Sequence, residues 1–181
     1  MIILASASPR RQELLKKIIK EFSVVAANVD ETPTRTCPKE IAKELAERKA
    51  LCVFNGNDTV IASDTIVVFK KKVLGKPQNR NDALNTLSTL NGKWHKVITG
   101  VCIVNLYGKT VFSVQSKVKF KKMSTEQIER YIDDFKPYDK AGSYGIQDGV
   151  CVDKIVGSYD NIMGLPTEKL SKYFKEKIWH N

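Results

Sequence analysis

The chain has 181 residues, 42% of them hydrophobic, which is enough for an ordinary globular core but is broken into runs too short to span a membrane. Thirty Lys and Arg against 20 Asp and Glu give a formal net charge of +10, which favours anionic partners such as nucleotides, nucleic acids or acidic surfaces. Four scattered cysteines without a Cys-x-x-Cys pair, and only two histidines, argue against a zinc or thioredoxin-like site, so a metal here needs carboxylate ligands, and these select magnesium or manganese.

Residues 1–7 and 22–29 read as strands on either side of a first helix, with Ser8 as its N-cap, Pro9 at the first helical position and Leu14, Leu15 and Ile18 as its apolar stripe. A second helix begins near Cys37 and Pro38 and runs through "CPKEIAKELAERKALCVF". "TVIASDTIVVF" is a strand that turns through Lys70, Lys71 and Lys72 into "VLGKP". The next helix, "NRNDALNTLSTLNG", sets Ala83, Leu84, Leu87 and Leu90 on one face and stops at Gly92. "HKVITGVCIVNLYGKTVFSVQSKVKF" gives two long strands joined at "YGKT". Ser124 and Gln127 predict a capping box for "TEQIERYIDDF", which should bury Ile128, Tyr131, Ile132 and Phe135. Gly142, Gly145, Gly149, Gly157 and Gly164 then punctuate an irregular stretch before a closing helix from about Pro166.

Strands and helices interleave, yet several strand pairs have hairpin-length links. An α/β fold with a mixed sheet, formed as one domain over residues 1–181, follows. The opening "MIILASA" lacks the basic region of a secretion signal, and unpaired thiols suit a reducing compartment, so a cytoplasmic setting without a membrane is expected. The lysine clusters at 70–72 and at Lys117, Lys119, Lys121 and Lys122 read as a solvated face.

Three features point to chemistry. The first helix carries Arg10 and Arg11 in its opening turn, where the partial positive charge of the helix end favours acids and opposes cations. With Ser6 and Ser8 they form either an anion site awaiting phosphate or a pair of solvated arginines. By local helix rules alone, Arg11→Glu should be neutral or stabilising. Asp64 lies inside an otherwise apolar strand, where a carboxylate is costly unless paired, metal-bound or hydrogen-bonded to a turn; Thr65 faces the other way. Lys49 falls in the middle of the stripe formed by Ala42, Leu45, Ala46 and Val53, so its ammonium must snorkel or meet an anion. Asp30 and Glu31, after a strand, and the turn Gly75-Lys76-Pro77 add carboxylates for a divalent cation and a lysine for phosphate.

Together "LASASPRR", "VDE" with "LAERKA", "ASDTIV…LGKP", "HKVITGV", "DKAGSYGIQ" and "GSYDNIMGLP" resemble the Maf family of nucleoside triphosphate pyrophosphatases, in order and over nearly the whole chain. The resemblance implies an elongated mixed sheet flanked by helices, two lobes around a central cleft, and kinship with inosine triphosphatases. It implies Asp64 as catalytic base and Arg10, Thr65 and Gln147 as positions that set base specificity. It places Glu31, Lys49 and Lys76 around the triphosphate and metal. "DKAGSYGIQ" resembles the branch that acts on dTTP and UTP rather than the one preferring 7-methyl-GTP. One departure stands out: the family has Gly-Glu-Pro where this chain has Phe135, Lys136 and Pro137.

The expected reaction is metal-dependent hydrolysis between the α- and β-phosphates. Glu31 and Asp64 hold or face magnesium or manganese, Asp64 deprotonates water, and Arg11, Lys49 and Lys76 stabilise charge on the phosphoryl oxygens. The other reading is a non-catalytic regulator linked to cell division that binds nucleotides or nucleic acid through the +10 surface. A homodimer stays open.

Overall fold

The computed structural model describes residues 1–178, so the end of the expected domain span lies outside the described residues. In chain order the elements are β1 (Ile2–Leu4), α1 (Pro9–Lys16), β2 (Ser23–Val24), α2 (Pro38–Val53), β3 (Thr59–Phe69), β4 (Lys72–Leu74) and α3 (Arg80–Leu90). They continue as β5 (Trp94–Asn105), β6 (Gly108–Phe120), α4 (Thr125–Phe135), β7 (Val152–Val156), α5 (Tyr159–Met163) and α6 (Thr167–Ile178). Three short 3-10 turns separate α4 from β7.

The strands form one mixed sheet in the order β2-β1-β3-β5-β6-β7, with β4 also paired to β3. β1 runs parallel to both β2 and β3, and the remaining pairs are antiparallel. β3 is central as expected, but one of its edges is interrupted. β1 covers it from Thr59 to Ile61 and β4 from Val67 to Phe69, so the middle of the strand has no neighbour on that side. Ile61 accepts from the Ala5 N–H across the covered part, and main-chain groups alternate in direction along a strand. The N–H and C=O of Ser63 and Thr65 therefore open into the gap.

Helix α2 covers one sheet face. Ala42, Ala46 and Ala50, all fully buried, let its backbone lie close against the strands. The approach is very close at Gly100 of β5, where an added Cβ would stand 2.1 Å from the Ala42 carbonyl oxygen. The opposite face carries two separate cores. Leu14 and Leu15 of α1 pack with Ile61, Val101, Leu165 and Leu170 at one end, while α3 and α4 pack through Leu87, Leu90, Ile128 and Ile132 onto Val97 and Val118 at the other. The gap in the β3 edge lies between these ends.

Local differences from the sequence reading have physical causes. β2 pairs over two residues rather than across 22–29, because the chain then leaves the sheet to carry Glu31 to α2. The Ser124–Gln127 capping box forms in both directions, but Phe135 is 39% exposed; it stacks on Tyr131 at the helix end instead of entering the core. Lys136, the departure from the family pattern, caps α4 in a left-handed conformation at φ 43°.

His95 is 3% exposed, with Nε2 sharing a 2.8 Å hydrogen bond with the Tyr144 hydroxyl and Nδ1 unpartnered. Burial pushes its pKa down from 6.5 to about 4. Between those values the unfolded chain binds the proton and the folded chain does not, so stability is intact above pH 6.5 and falls as the pH drops toward 4. The loss at the lower limit is about 3 kcal/mol. Urea titrations at several pH values should show that slope in wild type and a flatter one in His95→Gln; equal slopes would assign the acid sensitivity to other groups.

Candidate active site

A cleft of about 440 Å³ opens at the unpaired stretch of β3 and is reached from both sheet faces, so Asp64 and Thr65, which point oppositely, both border it. Ser8, Arg10, Arg11, Glu31, Lys49, Asp64, Thr65, Lys76 and Gln147 all line this cleft, whereas Ser6 lies behind Arg11 and Asp30 accepts from the Thr32 N–H instead of lining it.

On the α2 side Lys49 joins the two acids. Its Nζ lies 2.6 Å from Asp64 Oδ1 and 2.7 Å from Glu31 Oε1, and Lys76 Nζ stands 3.7 Å from the other Glu31 oxygen. The hydrogen bond from Lys49 is the main force holding the Glu31 carboxyl below its ordinary pKa, and burial opposes it. The apolar stripe thus delivers Lys49, 8% exposed, onto Asp64, itself 8% exposed. Glu31 is brought in by a loop latched to the same helix. Arg48 donates to the Asp30 and Thr32 carbonyls at 3.0 and 2.7 Å, and Glu44 accepts from the Thr34 hydroxyl at 2.6 Å. These latches gave no signal in the sequence beyond an Arg and a Glu on the exposed side of α2.

The opposite side answers the anomaly of the arginines at the start of α1. Ser8 occupies the N-cap position but its side chain does not cap; its N–H donates to Ser6 Oγ at 3.2 Å. Arg10 reaches Asp139 at 3.1 Å, 129 residues away. Asp139 also accepts from Lys140 at 2.8 Å, so the three residues form a cluster at the cleft mouth. Burial would raise the Asp139 pKa, but the hydrogen bonds from Lys140 and Arg10 prevail and lower it.

Arg11 donates through Nε to the Gly164 carbonyl at 3.1 Å and turns its two other nitrogens toward Ser6 and Thr65 at 3.4 Å. Burial lowers its pKa, while the nearby charge of Asp64 acts to raise it. The Gly164 carbonyl is fixed in turn by the Ser63 hydroxyl at 2.9 Å. Helix α5 is pinned to the sheet where Thr99 donates to the Asn161 carbonyl at 2.8 Å and Asn161 donates to Ser116 at 3.0 Å. Thr99 and Gly164 were missed from sequence because their roles depend on partners far along the chain.

This placement reverses one expectation. Arg11→Glu would satisfy the local helix rules, yet it removes three donors and sets a carboxylate against the Gly164 carbonyl in the field of Asp64. A loss of about 2 kcal/mol, on the order of 5 °C in melting temperature, is expected. An unchanged or higher melting temperature would show that Arg11 contributes nothing to the fold.

Gln147 sits on a short turn whose neighbours are tightly tied. The Tyr131 hydroxyl donates to Asp148 at 2.5 Å and accepts from the Gly145 N–H at 3.0 Å. Gly142, at φ +71°, rests on Val67 with no room for a Cβ, and its N–H donates to the Gly75 carbonyl at 3.1 Å. The Gly75-Lys76-Pro77 turn is thereby tied to the turn that immediately precedes the one carrying Gln147.

A sequence profile described as "Maf-like protein" matches residues 1–177. The chain belongs to the Maf family. A relative in Thermosipho africanus named dTTP/UTP pyrophosphatase is 47% identical over 171 residues, covering 93% of this chain and 89% of the relative. Proteins of the same name in Clostridium perfringens and Pyrococcus abyssi are 45% and 46% identical, covering 94% and 97% of this Maf chain and 94% and 95% of their own lengths. Among solved structures, the Ham1 protein of Staphylococcus aureus aligns at 18% identity with a TM-score of 0.46, over 66% of this chain and 71% of that one. No helix among the described residues is long and apolar enough to cross a membrane.

Proposed function

We propose that this Maf protein hydrolyses dTTP and UTP to the monophosphate and pyrophosphate, and that it works in the cytoplasm. The observation that carries the reading is one buried lysine held between two cleft carboxylates, with Arg10, Arg11, Lys76 and Lys140 around the same cavity. That charge pattern suits a triphosphate and the water that attacks it, and the names of the relatives agree.

The arriving triphosphate competes for Lys49 and draws it off Asp64. Asp64 Oδ2, without a hydrogen-bonding partner among the described residues, takes a proton from water as its oxygen attacks the α-phosphorus. The bond from that phosphorus to the α,β-bridging oxygen breaks, and pyrophosphate leaves. Lys49 and Lys76 neutralise charge gathering on the phosphoryl oxygens.

Glu31 and Asp64 are the residues that would hold magnesium or manganese. Two neighbouring carboxylates suit an ion that completes its shell with phosphate oxygens and water. No group of three or more His, Cys, Asp or Glu is gathered for an all-protein metal cage among the described residues. When bound, such an ion polarises the phosphoryl oxygens.

Gln147 offers an amide able to pair with both the N3–H and a carbonyl of uracil or thymine, and Arg10 and Thr65 line the same cleft. Cytosine presents an unprotonated N3 beside an amino group, which an amide held in that orientation rejects. Pyrophosphate release from dTTP, UTP, CTP, GTP and 7-methyl-GTP tests the reading. dTTP and UTP should lead by at least tenfold, and EDTA-treated protein should be silent until magnesium or manganese is restored. Preference for 7-methyl-GTP would overturn the substrate, activity in EDTA the metal, and silence with all five nucleotides the reaction itself.

A further inference from the structure

Beyond the N-terminus of α2, the sheet face it covers continues as a lysine-rich surface. Register sets Lys96 of β5 directly opposite Lys117 of β6, and Lys119 of β6 opposite Lys154 of β7. Like charges in directly opposed positions destabilise an antiparallel pair. None of these four lysines forms an ion pair with a described residue.

The β3–β4 turn repeats the pattern. Lys70 and Lys71 occupy it at φ 46° and 68°, a two-residue hairpin turn with left-handed backbone that Asn-Gly serves far better. Strained backbone of this kind concentrates at functional positions. A solvated face needs neither opposed lysines nor strained ones.

A groove of about 820 Å³ runs across this surface, lined by lysines of the β3–β4 turn, β5, β6 and the start of α2, with no Asp or Glu in its walls. It shares no lining residue with the catalytic cleft. Trp94, 42% exposed, lies in the groove, and Lys119 Nζ stands 5.9 Å from its ring centroid. An acidic peptide would use the charges but not the ring, and a membrane surface would find few exposed apolar side chains, since Val68 and Ile98 in the walls are buried and only Trp94 and Val156 stand out.

We propose that this face binds single-stranded nucleic acid, its lysines meeting successive phosphates while Trp94 stacks on a base. The site is separate from the nucleotide cleft and goes beyond the pyrophosphatase reaction.

Fluorescence anisotropy with a labelled oligouridine of about 15 nucleotides tests it, alongside a poly-glutamate peptide of similar charge. Binding should weaken more than tenfold between about 50 and about 200 mM salt and persist in saturating pyrophosphate and dTMP. Lys96→Glu, which sets a carboxylate opposite Lys117, should weaken binding at least tenfold while the melting temperature holds or rises. Lys70→Asn with Lys71→Gly relieves the turn and should again pair a higher melting temperature with weaker binding. Trp94→Ala should weaken binding at least fivefold, and none of these variants should alter pyrophosphate release. Oligouridine affinity untouched by Lys96→Glu, or displaced by dTMP, would overturn the site. Poly-glutamate bound as tightly as oligouridine, or indifference to Trp94→Ala, would overturn the ligand.

Discussion

Asp64→Asn should lower pyrophosphate release by about 10³-fold or more and leave the molecule folded. General base catalysis contributes about 10²- to 10⁴-fold, and the amide can neither take the water proton nor bring negative charge to a metal. The side chain is nearly isosteric, and its oxygen can still accept from Lys49. Lys49 also keeps Glu31 at 2.7 Å, so its buried ammonium is not left without a charge partner. The melting temperature should therefore move by no more than about 5 °C, corresponding to about 2 kcal/mol. Turnover within tenfold of wild type would remove Asp64 as base. Loss of the folded circular dichroism spectrum would make its role structural.

Gly100→Ala should do the reverse and damage the fold first. Gly100 pairs with Asp64 across β3 and β5, and its Cα faces the backbone of α2. The new methyl would stand 2.1 Å from the Ala42 oxygen, 2.3 Å from its carbonyl carbon and 2.6 Å from the Lys43 nitrogen. All three atoms are main chain, so no rotamer change relieves the clash and the helix must move by about 1 Å or more. A cost of about 3 kcal/mol, roughly 10 °C, is expected. The same displacement draws Lys49 and the latched Glu31 loop away from Asp64, and misplacement on that scale lowers turnover about 100-fold. A melting temperature within 2 °C of wild type would refute the close approach.

The two variants also mark what the sequence made legible. Asp64 announced itself because a charge inside an apolar strand demands a partner, and Lys49 did so by interrupting an apolar stripe; each is a local violation of a period. Gly100 violates nothing locally, since glycine in a strand is only a weak flag, and its reason lies in a helix met more than fifty residues earlier in the chain. The mixed sheet could be read from alternation and link lengths, and the α4 capping box from a four-residue pattern. The fate of Arg11 could not, because its principal partner is a main-chain carbonyl 153 residues away. Main-chain acceptors carry no residue code. Phe135 failed for a related reason: helical spacing assigns it a face, but the helix ends before that face reaches the core.

The interrupted edge of β3 has a bearing on inhibition. Thr65 turns its main-chain N–H and C=O groups toward the cleft where β1 has ended and β4 has not begun. A compound with an extended amide backbone could lie in that gap as a short guest strand. It would be held by atoms common to every amino acid. Mutations that change only side chains would leave those anchor points in place, so escape would require a shift in the path of the strand that carries Asp64.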